Sequence, residues 1–299
     1  MAEMKRPGDS NRITREYFET LRLELRHIDS ILPSTAFTLY GETFATPVTT
    51  AALSHLNGVH PGGMVELARG AQQAGAVMFC GMGDESELDG ILATGARTIK
   101  IIKPYTDEGL IEQKMEHAEA KGAMALGMDL DHAFGHAGGY DHVLGYDMRP
   151  KTLAQIKGYV RRTRLPFIIK GVLSETDALK CMDAGVQGIV VSHHHGIVDD
   201  ALPPLRILPR IAKAIGGAMP IFVDCGFESG MDVFKALALG ATGVSIGRAL
   251  MGPLGEGGAE AARRTIEKIT ASLAHLMAVT GAHDLKSIDP DVIWDEHKR

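Results

Sequence analysis

The chain has 299 residues, 45% of them hydrophobic and 23% charged, which supplies a core and excludes a disordered polymer. Its 37 acidic against 31 basic residues give a net charge of -6, which argues against a nucleic-acid or anionic-membrane surface and leaves small molecules as the expected ligands. Cys80, Cys181 and Cys225 are odd in number and form no C-x-x-C pair, so neither a disulfide framework nor a zinc knuckle is readable. With no apolar signal core in M-A-E-M-K-R-P-G-D-S and no run of about 18 apolar residues, a cytoplasmic protein is expected.

Short apolar runs follow at regular intervals. The first four are P-V-T-T-A-A-L (47–53), A-V-M-F-C-G (76–81), T-I-K-I-I-K (98–103) and A-M-A-L-G-M-D (123–129). The second four are P-F-I-I-K-G (166–171), G-I-V-V-S-H (188–193), P-I-F-V-D-C-G (220–226) and G-V-S-I-G-R (243–248). Being apolar on both faces, they suit a parallel sheet. Segments of helical period start at Met64, Glu108, Leu153, Ser174, Leu205 and Met231, and most end in glycine, the usual helix stop. Eight strands alternating with helices predict an α/β fold, a (β/α)8 barrel with active-site groups at the C-terminal strand ends. A doubly wound open sheet is the alternative. The whole chain, 1–299, is read as one domain, with an N-terminal extension over about 1–45 and a C-terminal helix and tail over about 254–299. Neither the charged stretch Thr14 to Asp29 nor the helix candidate Glu260 to Ala278 carries a recognisable site.

In such a barrel the polar residues at strand ends converge on one mouth. They are Lys100 and Lys103, Asp129 and Asp131, Lys170, Ser192 to His195, Asp224 and Arg248. Lys170 and Asp224 each follow apolar residues, where an ion needs a partner or a ligand. The glycine-containing turns around G-F-E-S-G and S-I-G-R fall after the seventh and eighth strands, where many barrels hold a phosphate.

Taken in order, these residues resemble the FMN-dependent α-hydroxy-acid oxidase/dehydrogenase family, the group of glycolate oxidase. The resemblance is strongest in I-K-G-V-L-S-E-T-D-A-L (169–179), A-G-V-Q-G-I-V-V-S-H-H-H-G (184–196), F-V-D-C-G (222–226) and the run from Asp232 to Arg248. It implies FMN as cofactor, with Lys170 by the flavin N1 edge, Asp224 on the ribityl chain, and Gly226, Gly247 and Arg248 at the phosphate. Ser192 and Lys100 join the expected cofactor contacts, Lys100 standing for the family's glutamine. The family's S-N-H-G-G frame places the catalytic base at His194, and its T-V-D motif places the supporting acid at Asp129. Lys170, His194 and Asp129 are thus the expected catalytic set, and a homo-oligomer, a tetramer by resemblance, is implied.

The departures are specific. Ile197 stands where the family's substrate-clamping arginine belongs, H-A-F-G-H-A-G-G-Y-D-H (132–142) has no counterpart to a second arginine, and Ile102 replaces a tyrosine. Glu228 replaces a phosphate-binding arginine, and Gly81 and Met82 fall where serines touch the flavin. The expected function is therefore an FMN-dependent oxidoreductase acting on a small organic substrate other than a plain α-hydroxy acid. Lys100, Lys103, His193, His195 and the 132–142 loop are candidates for substrate contact. Two other readings stand beside it. The Asp/His residues at 129, 131, 132, 136, 142 and 193–195 include metal-ligand types, although no selective metal signature is present and no metal is expected. The other is a barrel that has lost catalysis and binds a ligand.

Overall fold

The structure, a computed structural model, describes residues 8–136 and 138–296. The first seven residues of the expected N-terminal extension, Ala137 of the 132–142 loop and the last three residues lie outside that description. Eight parallel strands form the central sheet: β1 (Val48–Thr50), β2 (Met78–Cys80), β3 (Thr98–Ile102), β4 (Ala125–Asp129), β5 (Phe167–Val172), β6 (Ile189–Val191), β7 (Ile221–Val223) and β8 (Gly243–Ile246). β8 pairs with β1 in parallel register, Ser245 opposite Thr49. Closure between β1 and β2 runs through Thr50, whose N–H donates to Val77 O at 3.2 Å and whose hydroxyl accepts from Phe79 N at 2.8 Å. Gly81 N–H donates to Leu53 O at 2.7 Å just beyond. The open-sheet alternative is thereby excluded.

Strand alternation divides the apolar residues into two cores. Val77, Phe79, Ile99, Ile101, Ala125, Ile168, Val190 and Phe222 fill the barrel interior. Phe79 and Phe222 meet edge-on at 5.1 Å, a contact worth about 0.5–1.5 kcal/mol beyond burial. A hairpin of Phe37–Leu39 and Glu42–Phe44, turning at Tyr40 and Gly41 with φ of 48° and 83°, adds Phe37, Leu39 and Phe44 to that inner core. The opposite strand faces pack on helices α1 (Ser10–Thr20), α2 (Gly63–Gln73), α3 (Glu85–Ala93), α4 (Glu108–Ala120), α5 (Leu153–Arg162), α6 (Glu175–Asp183), α7 (Pro204–Ile215), α8 (Gly230–Ala238) and α9 (Arg248–Val279).

Besides that hairpin, two helices differ from expectation. α3 is a short helix the apolar pattern does not announce, started by the Asp84 side chain accepting from Glu87 N. The C-terminal helix begins at Arg248 and breaks at Gly257 and Gly258, where Gly258 takes φ 58°, so 248–256 and 259–279 are two segments. Among the described residues no helix is long and apolar enough to cross a membrane.

Candidate active site

The inward register that fills the barrel also carries its ions. Asp129 continues the inward series of Ala125 on β4, Lys170 that of Ile168 on β5, and Asp224 that of Phe222 on β7. Lys170 is 5% exposed, and its Nζ donates to Asp129 Oδ1 at 3.2 Å and Ser192 Oγ at 3.4 Å. Oxygens of Asp131 and Asp224 each lie 3.7 Å away. Burial alone would depress this ammonium, but Asp129, Asp131 and Asp224 outweigh it and hold the pKa well above the usual lysine value. Burial would likewise raise Asp129, yet Lys170 and then Lys103, whose Nζ donates to Asp129 Oδ2 at 2.7 Å, pull it well below the carboxylate range.

His194 follows β6 in a left-handed run, with φ of 47° at His194, 56° at His195 and 77° at Gly196. Left-handed backbone is costly for side-chain-bearing residues and concentrates at functional sites. Here it turns consecutive histidines apart. His194 Nδ1 lies 2.7 Å from Asp131 Oδ1 and 3.4 Å from Asp129 Oδ1, so the nearer carboxylate is Asp131 and not the expected Asp129. With Nδ1–H donated to Asp131, the Lys170 Nζ at 3.1 Å from that nitrogen is a close approach of two donors and not a bond. Burial, followed by the charge of Lys170, lowers His194; the carboxylates at 129 and 131 reverse this and leave its pKa raised. Burial and then the Asp129 charge raise Asp131, whose Oδ2 is buried with no hydrogen-bond partner. Gly171 makes room for Asp131: at φ 93°, a Cβ there would meet Asp131 Cγ at 2.7 Å.

The other nitrogen of His194 faces His132. The two Nε2 atoms are 2.8 Å apart, and His132 Nδ1 lies 2.7 Å from Asp141 Oδ2. Burial, then Lys103 and His194, push His132 down to about 4, so it is neutral and Asp141 takes its Nδ1–H. His132 Nε2 is then an acceptor, and the hydrogen in the shared contact belongs to His194. In this state His194 is the imidazolium.

His193 turns away: its Nε2 lies 2.9 Å from Thr14 Oγ1 and its Nδ1 accepts from Gly196 N at 2.9 Å, a buried anchor for α1. His195 stays at the mouth, with Nδ1 2.7 Å from Asn11 Oδ1. Arg248 Nη2 donates to that same oxygen at 3.2 Å, so α1, through Asn11, reaches both the turn after β6 and the start of α9.

Lys100 does not reach the mouth. Inward register on β3 belongs to Ile99 and Ile101 and continues to Lys103, whereas Lys100 packs on the outer side and donates to Gly81 O at 2.5 Å. Alternation therefore gives the acid partner at this strand end to Lys103. Asp131 as the near carboxylate of His194, and His132 as its neighbour, escaped the sequence reading; the D-x-D-H run beside the fourth strand is the signal that pointed there.

Asp129, Asp131 and His194 also lie within metal-ligand reach of one another. The Lys170 ammonium, 3.2, 3.7 and 3.1 Å from their ligand atoms, already supplies the positive charge between them. That makes the trio an ion-paired acid–base cluster.

Beside the cluster lies a cavity of about 140 Å³ lined by Ala51, Lys170, His194, His195, the 224–228 turn, Gly247 and Arg248. Its residues fit FMN. Lys170 lines its buried end, with Ser192 Oγ 3.4 Å from its Nζ. At the other end the N-terminus of α9 has Gly247 as its cap residue with no side chain bonded to it, leaving first-turn N–H groups with Arg248 for a phosphate. A Cβ at Gly247 would approach Ala51 Cβ to 3.2 Å, so glycine keeps this wall thin. Glu228, the expected electrostatic obstacle, is exposed.

The family described as FMN-dependent dehydrogenase matches residues 3–158 and 136–295. The chain is 28% identical over 311 residues to 4-hydroxymandelate oxidase of Amycolatopsis orientalis, covering 92% of this chain and 86% of that protein. It is 36% identical over 137 residues to a 2-hydroxyacid oxidase of Dictyostelium discoideum, a match spanning 46% of this chain and 35% of that relative. A mandelate oxidase mutant solved with a monooxide FMN adduct superposes with a TM-score of 0.87 at 28% identity, covering 95% of this chain and 90% of that one. The barrel, the lysine and histidine at its mouth and these matches together place the chain in the FMN-dependent α-hydroxy-acid oxidase/dehydrogenase family, with FMN as its cofactor.

Proposed function

We propose that this enzyme oxidises a small hydroxylated substrate that it does not grip as a free carboxylate. The observation that carries the reading is the commitment of the mouth's cations. Lys103 is bound to Asp129, Lys170 lies among three carboxylates, and Lys100 is spent on a backbone carbonyl. Arg248 is at the α9 end, and the position after S-H-H-H-G is Ile197. A buried carboxylate needs a bidentate cation or several donors to offset its desolvation, and none is free beside His194 among the described residues.

FMN supplies the two-electron acceptor. The chain's own part is proton handling and orientation. Asp131 holds Nδ1 of His194, which leaves Nε2 as the atom that receives the substrate hydroxyl proton once His194 is neutral. His132 occupies that side of Nε2 and must give way to the substrate or shift along with it. Lys170 holds positive charge at the buried end of the cavity, preorganised by its carboxylates, where negative charge grows as the reaction proceeds.

The test is anaerobic mixing of FMN-loaded protein with (S)-mandelate and with (S)-mandelamide, following loss of the oxidised flavin's visible absorbance. The amide is expected to react with at least about tenfold higher kcat/KM, the scale of one unpaired buried charge. Preference for the acid by that margin would overturn the reading.

A further inference from the structure

We propose that His195, tied together with Arg248 to Asn11 of α1, is the second cationic group of the FMN phosphate site and takes up a proton when the phosphate binds. The inference rests on FMN being the cofactor and goes beyond it in naming a group that compensates for Glu228.

Three observations converge. His195 and Arg248 both line the cavity that holds the α9 N-terminus. One oxygen, Asn11 Oδ1, lies 2.7 Å from His195 Nδ1 and 3.2 Å from Arg248 Nη2, and Asn11 Nδ2 donates to His195 O at 3.0 Å. α1 therefore fixes both side chains on one side of the cavity, with Nδ1–H of His195 given to Asn11 and Nε2 left to face a ligand. Finally, among the described residues Arg248 is the only arginine lining this cavity, and a carboxylate, Glu228, lines it too. A phosphate monoester carries close to two negative charges at neutral pH, with a second pKa of about 6. One guanidinium leaves the second charge unmatched.

The groups facing His195 set the direction. Burial, then Arg248 and His194, lower its pKa, while Asp9 of the α1 cap and Asp224 raise it; Cys225, donating to Asp224 at 3.0 Å, and Glu228 complete the surroundings. The net effect keeps His195 neutral in the free protein. A phosphate dianion beside it opposes that balance and favours the imidazolium. Nε2–H then donates to a phosphate oxygen, and the proton comes from solvent. By linkage, FMN must bind more tightly as pH falls, by at most about tenfold per pH unit for one proton.

The experiment measures FMN and riboflavin dissociation constants by flavin fluorescence between about pH 6.5 and 8.5, above the phosphate's own titration. Riboflavin lacks only the phosphate. The wild-type chain should show a pH slope with FMN and none with riboflavin. His195→Gly suits the φ of 56° at this position, and His195→Asn also tolerates left-handed backbone. Both should flatten the slope and weaken FMN about tenfold at the acidic end, with riboflavin unchanged. Retention of the slope in both variants, or an equal slope with riboflavin, overturns the proposal while leaving FMN as cofactor. Failure of the wild-type chain to bind either flavin would remove the cofactor reading as well.

Discussion

The two ends of the mouth are built on opposite plans. At the β4–β6 end Asp129, Asp131, Lys103, Lys170 and His194 pair with one another in a buried network. At the β7–β8 end Arg248, His195 and Glu228 are exposed, and the first two meet on Asn11 Oδ1. On the proposed role of His194 the first plan preorganises proton transfer, and it leaves no cation over for a ligand. The second keeps positive charge accessible to one. Charge placement, more than the count of charged residues, separates catalysis from binding here.

The comparison breaks most visibly at the base. His194→Asn should lower the rate of flavin reduction by substrate about 10²–10⁴-fold while the protein still binds FMN; a variant within threefold of wild type would show that the buried end does no proton transfer. Next comes Lys170→Met, which strands three carboxylates in the interior. Removing one partner of a buried pair costs about 3–5 kcal/mol, so thermal unfolding at neutral pH should fall by on the order of 10 °C. Asp131, already raised by burial and the Asp129 charge, protonates first as pH drops, so the deficit should shrink towards acid pH. An undiminished melting temperature at neutral pH would mean the carboxylates are not ionised together. The smallest effect belongs to the open end. Glu228→Arg should tighten FMN binding by only about two- to fivefold, the range of an exposed ion pair, and no change in unfolding should accompany it.

Much of this was legible in the chain. The eight apolar runs coincide with β1 to β8 because a strand buried on both faces needs an unbroken apolar stretch. His194, Lys170, Asp224 and Arg248 line the mouth cavity where strand ends and ordered motifs along the chain put them. The hairpin at 37–44 and helix α3 were missed because three-residue strands and nine-residue helices carry little periodicity, although Tyr40-Gly41 and the Asp84 cap mark them. Lys100 was misplaced for a different reason: a one-residue register choice exchanges the two faces of a strand, and only the packing of Ile99 and Ile101 decides it. The meeting of Asn11 with Arg248, or of His132 with His194, depends on contacts between residues 237 and 62 positions apart, which no local pattern encodes.

The most direct test of the buried plan is histidine NMR titration of the FMN-loaded protein, wild type beside Asp131→Asn and Asp129→Asn. The raised pKa and the 2.7 Å contact predict that His194 titrates above the usual histidine value of about 6.5 and falls by about one unit or more in Asp131→Asn. A wild-type His194 titrating at or below the usual value, or one that moves only in Asp129→Asn, would contradict the assignment of Asp131 as the carboxylate that holds the base.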